Sequence, residues 1–149
     1  MNERITSTTM ALQPYAHPLY QTKIWDERGI FYSSLTCMQL LQEACLRTGS
    51  SYQGKRDAVK ALLHLKHAIP IPISYAKGIC AIPSTSPQKW ECVWYFYAHV
   101  RKVQRHHDQT YVLFRNGEKL LVNASTYRTK QQLLKAAHIL SHFNLTAEI

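Results

Sequence analysis

Arg47-Thr-Gly-Ser-Ser-Tyr-Gln-Gly-Lys-Arg56 is the stretch on which the reading of this chain turns. Apolar residues recur at helical spacing before it and again behind it, so two short helices are placed around a Gly/Ser turn. Ahead of it, Cys37, Leu40, Leu41, Ala44 and Cys45 form one helical stripe, with Thr36 as the N-cap and Gly49 as the stop. Behind it, a second helix is expected from about 54 to 66, with Ala58, Ala61, Leu62 and Leu65 on one face and Lys55, Arg56 and Lys60 mainly off that face. Between Arg47 and Lys66 there are five basic residues (Arg47, Lys55, Arg56, Lys60, Lys66) and one acidic residue, Asp57, the densest positive charge in the sequence.

Working outward, the flanks read as extended. Segments 10–15, 20–25 and 30–35 are rich in aromatic and β-branched residues and are separated by Pro14, Pro18 and Asp26-Glu-Arg-Gly29, which favours strands. Ile69-Pro-Ile-Pro-Ile73 alternates like a strand, but its two prolines lack an N–H and place it at a sheet edge. Segment 79–82 is another short strand. Segment 92–100 reads as the best strand, with Trp94, Phe96, Ala98 and Val100 on an apolar face and Tyr95, Tyr97 and His99 on a polar-tipped one, followed by a basic loop through His107. Strands 111–115 and 118–123 flank Asn116-Gly117, which suits a type I′ turn pairing Arg115 with Glu118 and Leu113 with Leu120. A last helix is expected to open at Thr129 with the capping box Thr129-Lys-Gln-Gln132 and to bury Leu133, Ala136, Ala137 and Leu140. These elements make a single α+β domain over 1–149, with a largely antiparallel β-sheet and about three α-helices.

Eighteen Lys and Arg against nine Asp and Glu give a formal charge of +9, and hydrophobic content of 46% supports a packed core. Such an excess of positive charge argues for a polyanionic partner. No apolar run approaches the ~20 residues that span a bilayer, and the first residues lack a basic-then-apolar signal layout, so a cytoplasmic protein with no membrane partner is expected, nucleoid-associated where the polyanion is DNA. The four cysteines (Cys37, Cys45, Cys80, Cys92) are then expected to be reduced and buried.

Gly49-Ser-Ser-Tyr-Gln-Gly54-Lys55 matches the G-x-x-x-x-G-K of a phosphate-binding loop. The next position should supply a hydroxyl for magnesium, and here it is Arg56. The motif also follows a helix rather than a strand, and Asp26, Asp57 and Asp108 follow no apolar strand that would make one of them a metal ligand. A nucleoside triphosphatase is therefore not expected. His64 with His67 and the adjacent His106-His107 are weak metal signals without thiolates or carboxylates beside them. No serine sits in a nucleophile elbow, so no catalytic residue, metal or cofactor is assigned.

Nucleic acid fits better. Arg47, Ser50, Ser51, Lys55, Arg56 and Lys60 place cations and hydroxyls along one turn and helix, Arg101, Lys102 and Arg105 form a second cluster, and Arg128, Lys130 and Lys135 a third. The first two sets are the candidate DNA-binding residues. Two alternatives stand beside this reading. One is a helix-turn-helix with Gln53, Lys55 and Arg56 opening a major-groove recognition helix, although the turn looks longer than that motif prefers. The other is a general RNA- or single-strand-binding accessory protein that stacks bases on Tyr95, Tyr97 and His99.

Gly49-Ser-Ser-Tyr-Gln-Gly-Lys-Arg56 also resembles the Gly-Ser-Ser-x-x-Gly-Arg signature of the competence transcription factor family, ComK. Ile69-Pro-Ile71, Pro83-Ser-Thr-Ser86, Cys92-Val-Trp94 and the Asn116-Gly117 hairpin, with Ser125, Gln132 and Ala137, resemble further family motifs in the same order, over about 29–140. Lys55-Arg56 stands where the family has a simple Gly-Arg, Ile82 where Phe is usual, and Ser84 where Thr is. The resemblance implies a bacterial DNA-binding activator of competence genes. It implies recognition of paired boxes in double-stranded A/T-rich DNA, mainly through the minor groove, as a homo-oligomer (a dimer, or a dimer of dimers on DNA), with RNA polymerase as a further partner. Longer members carry a C-terminal tail linked to adaptor-dependent proteolysis; with the sequence ending at Ile149, that route is left open here.

Overall fold

The computed structural model describes residues 3–146, with side chains described through Phe143. Met1, Asn2 and residues 147–149 lie outside the described residues, and with them the expectations about a leader and a tail. The chain runs β1 (Thr9–Pro14), β2 (Thr22–Asp26), β3 (Gly29–Ser33), α1 (Cys37–Arg47), α2 (Tyr52–Leu63), β4 (Ile71–Ser74), β5 (Ile79–Pro83), β6 (Trp94–Phe96), a single 3-10 turn (Tyr97–His99), β7 (Val100–His106), β8 (Gln109–Phe114), β9 (Lys119–Val122) and α3 (Thr126–Thr146). The α+β class, with three helices and antiparallel pairing, is as the sequence predicts, but the strands divide between two sheets. Six strands lie in the order β3-β2-β1-β6-β5-β4 and three in the order β7-β8-β9. The proline-bearing β4 takes the expected edge, where a missing N–H leaves no neighbour unpaired.

The six-stranded sheet is covered on both faces. On one side Leu12, Ile24, Ile71, Trp94 and Phe96 pack with Leu40, Leu41, Ala44 and Cys45 of α1 and Tyr52 and Val59 of α2. On the other, Met10, Ala11, Cys80, Ile82 and Tyr95 pack with Val112, Phe114, Leu120 and Val122 of the smaller sheet. Helix α3 closes the edge between the layers, giving Ile139 to the first cluster and Ala136 to the second. This double cover corrects the reading of segment 92–100. Residues Trp94, Tyr95 and Phe96 are all buried, so Tyr95 faces no solvent, and pairing in this sheet ends at Phe96. Tyr95 contributes no stacking surface, and Tyr97, Ala98 and His99 turn the chain from one sheet into the other. The residues expected as a basic loop are β7.

Three further details differ from expectation. Helix α2 begins at Tyr52, not Gly54, because Ser51 caps it by accepting a hydrogen bond from the Gly54 amide at 2.9 Å. Its buried face is Tyr52 and Val59, with Leu63 packed beside them, while Leu62 is 54% exposed. Helix α3 begins three residues early, where Ser125 Oγ accepts from the Arg128 amide and Thr129 is already inside the first turn. The β8–β9 pairing is shifted by one residue, with Leu113 opposite Lys119 and Val112 opposite Leu120. That register sets Val112, Phe114, Leu120 and Val122 on the buried face, and a one-residue slip would turn part of the set to solvent. Gly117 alone in that loop takes a positive φ, +93°, with its amide bonded to the Phe114 carbonyl. The two-residue connection with positive φ at both positions is one hairpin earlier, at His107 (50°) and Asp108 (61°), between His106 and Gln109.

Candidate nucleic-acid interface

The Arg47–Arg56 stretch divides into residues that hold the fold and residues that face outward. Arg47 donates from Nε to both Glu43 oxygens at 2.8 Å and from Nη2 to the Ile5 carbonyl at 2.7 Å, so it ties the N-terminal segment to α1. Thr48 caps α1 and Gly49, at φ +107°, reverses the chain. Ser50 is exposed in the turn, and Ser51 is occupied as the cap of α2. Lys55 follows Tyr52 by three residues and so shares the inward side of α2. Its Nζ donates to Thr48 Oγ1 at 3.0 Å and to the Ile73 carbonyl at 3.1 Å, and burial lowers its pKa from the usual lysine value. The ammonium therefore binds the turn and the edge strand, not the mouth of a phosphate loop. Arg56 is different. It has no ion-pair partner among the described residues and lines a groove.

That groove has a volume of about 690 Å³ and is walled by four parts of the chain: Tyr52, Gln53 and Arg56 of α2, Lys66 to Ala68 behind it, Thr85 to Lys89 of the β5–β6 loop, and Arg128 of α3, with Met38 at one side. Arg56, Lys66, Lys89 and Arg128 supply four cations, Thr85, Ser86 and Gln88 supply hydrogen-bonding side chains, Gln53 donates from Nε2 to Asp57 Oδ1 at 2.8 Å, and among the described residues no Asp or Glu lines the groove. Burial pushes the Tyr52 phenol up, and the charge of Arg56 nearby pulls it partly back.

The walls are fixed from beneath by Gln132. Its Nε2 donates to the Ala68 carbonyl at 2.7 Å and the Pro83 carbonyl at 2.9 Å, and the residue is 1% exposed. One amide thus pins α3 to the segment behind α2 and to the end of β5. The β5–β6 loop is tightened further by Val93 N to Ser84 Oγ at 3.0 Å and Ser84 N to the Val93 carbonyl at 2.9 Å. A groove with rigid walls, cations from separated parts of the chain and no carboxylate can take a run of phosphates.

The remaining candidates lie apart from it. Lys60 is one turn past Arg56 on the exposed side of α2. Arg101 lines a second groove against α3. Lys102 is exposed on β7, and Arg105 pairs with Asp108 at 2.6 Å. Lys66, Lys89 and Arg128 join Arg56 only through the fold. Arg128 and Lys66 carried a signal as members of basic clusters; Lys89, alone after Pro87 and Gln88, carried none.

The turn between α1 and α2 is four residues, Thr48 to Ser51, shorter than the sequence suggests because α2 starts early. Among the described residues no three His, Cys, Asp or Glu side chains come together as a metal site. The four cysteines are free, three of them buried and Cys37 half-buried; burial raises all four thiols, Cys37 and Cys45 to about 11. No helix among the described residues is long and apolar enough to cross a membrane.

A competence transcription factor of Bacillus subtilis (strain 168) is 25% identical over 123 residues, covering 82% of this chain and 64% of that protein. The chain therefore matches somewhat under two-thirds of that relative's length. No solved structure gives a significant match. The family model described as ComK protein matches residues 2–147, nearly the whole sequence. On that match, the chain belongs to the ComK protein family.

Proposed function

We propose that this protein is a DNA-binding transcription regulator of competence genes, an activator without catalytic activity, and that the groove of Arg56, Lys66, Lys89 and Arg128 is its contact with DNA. The observation that carries this reading is the acid-free lining of that groove in a chain of net charge +9. Family membership and the similarity to a competence transcription factor support the biological role. Lys60 and Ser50 extend the contact along the exposed side of α2 and its turn. Lys55, already bonded to Thr48 and Ile73, acts as a positioning residue for Arg56. Paired A/T-rich boxes are the proposed target, read mainly through the minor groove by a homo-oligomer. A narrow A-tract minor groove carries an enhanced negative potential, which an acid-free groove in a chain of net charge +9 is suited to meet.

A second reading has one observation in its favour. The four-residue turn and the outward Gln53, Arg56 and Lys60 suit a helix entering the major groove. Fluorescence anisotropy on an A/T-box duplex, a G/C-matched duplex and an A/T duplex whose minor groove is occupied by netropsin separates the outcomes. Minor-groove reading predicts preference for A/T and its loss with netropsin. Preference that survives netropsin favours the major groove, and equal affinity for all three overturns selective recognition.

A further inference from the structure

A second groove, of about 510 Å³, runs between β7 and α3. Its chemistry differs from that of the first. Val100, Val103, Leu133 and Ala137 give it an apolar floor, and Arg101, Arg115 and Lys130 stand along its rim. Among the described residues no carboxylate lines it and none of these three cations has an ion-pair partner. Arg115 is aimed by its own backbone anchor, Nε donating to the Ala98 carbonyl at 3.0 Å. Leu134 borders the groove at 63% exposure and also borders a smaller one of about 240 Å³, where Leu63 and Leu65 lie beside Lys135. An exposed leucine between two apolar-floored depressions, ringed by cations, is costly to leave in water.

We propose that this surface docks an acidic amphipathic helix of a partner protein, with apolar side chains seated on either side of Leu134 and carboxylates meeting Arg101, Arg115, Lys130 and Lys135. Charge complementarity selects this occupant. Nucleic acid would use the cations but would leave the apolar floor and Leu134 unexplained, whereas the first groove offers hydroxyls and amides. A second copy of this chain would bring four more cations against four and would add to a charge of +9. On α3, Arg128 lines the first groove and Lys130 the second. Residues two apart on a helix project to different sides, and the two grooves share no lining residue, so both can be filled together. The inference does not depend on the DNA reading.

The test uses the full chain and a labelled synthetic helical peptide with leucine at i, i+3, i+4 and i+7 on one face and glutamate on the other, followed by anisotropy. The expected result is saturable binding, weakened by about tenfold or more in Leu134→Asp and in Lys130→Glu, and weakened in the same direction by the milder Leu134→Ala. A scrambled peptide of equal composition should bind at least about tenfold more weakly. The proposal is overturned if the scrambled peptide binds equally, or if the Leu134 variants bind as the parent does. It is also overturned if duplex DNA displaces the peptide competitively, which assigns the groove to nucleic acid. Loss of a dimer in Leu134→Asp by analytical ultracentrifugation assigns it to a second copy and overturns it too.

Discussion

The ammonium of Lys55 sits 3.1 Å from the carbonyl oxygen of Ile73, joining the second helix to the edge strand across eighteen residues of sequence. A basic residue in the most basic stretch of the chain is thereby committed to the fold, while its neighbour Arg56 turns to the groove. The two should separate in experiment. Lys55→Met keeps the buried stem and removes the charged donor, which should cost about 1–3 kcal/mol in urea unfolding. Arg56→Ala should leave stability within about 0.5 kcal/mol and weaken DNA binding.

Gln132 should be among the least replaceable polar residues. Its amide satisfies the Ala68 and Pro83 carbonyls together, and Gln132→Met leaves both without that donor in a buried site. Each orphaned acceptor costs about 1–3 kcal/mol, so a loss of roughly 2–5 kcal/mol is expected by chemical denaturation. Because the same bonds set the groove walls, DNA affinity should fall in the fraction that remains folded.

The hairpin register can be checked by substitution. Gly117 alone needs a positive φ in the β8–β9 loop, so Gly117→Ala should cost about 1–2 kcal/mol. Asn116→Ala should cost no more than the hydrogen bond that its Oδ1 accepts from the Glu118 amide, about 0.5–1.5 kcal/mol. In the β7–β8 turn His107→Gly should raise stability by about 1 kcal/mol, since it relieves a left-handed non-glycine residue.

Asp26 should set part of the acid limit of stability. Its carboxyl is buried, which alone would raise the pKa. Hydrogen bonds from the Arg28 side chain and backbone and from the Thr8 hydroxyl outweigh burial and hold it below the ordinary 3.8. In that window the unfolded chain binds more protons than the folded one. The stabilisation is thus full above 3.8 and is lost as pH falls through the folded value. Thermal melts from pH 6 to pH 2 should show this fall, and Asp26→Asn should lower stability at neutral pH and flatten that limb.

Local signals in the sequence reported local structure well. The Thr36 cap and the α1 stripe stand where short-range spacing put them, because each depends on residues three or four apart, and the edge position of β4 follows from prolines that lack an N–H. What depends on the second sheet was not legible. Tyr95 alternates with Trp94 and Phe96 as if half-exposed, yet the β7–β9 sheet covers its face from outside that strand. The same sheet decides the β8–β9 register, where burial of Phe114 overrode the preference of Asn116-Gly117 for a tight turn. In the groove, Arg56 was marked by its neighbours' charge, but Lys89 and Gln132 matter only because loops far apart in sequence meet there.

The central claim, that phosphates lie in the Arg56–Arg128 groove, is tested most directly by the salt dependence of binding to an A/T-box duplex. Each lost phosphate contact removes about 0.9 from the slope of log K against log salt. The double variant Arg56→Ala with Arg128→Ala should therefore lower the slope by about 1.8, while Lys102→Ala with Arg105→Ala on the far sheet leaves it nearly unchanged. A full slope in the groove variant, or an equal loss in the sheet variant, would contradict the account.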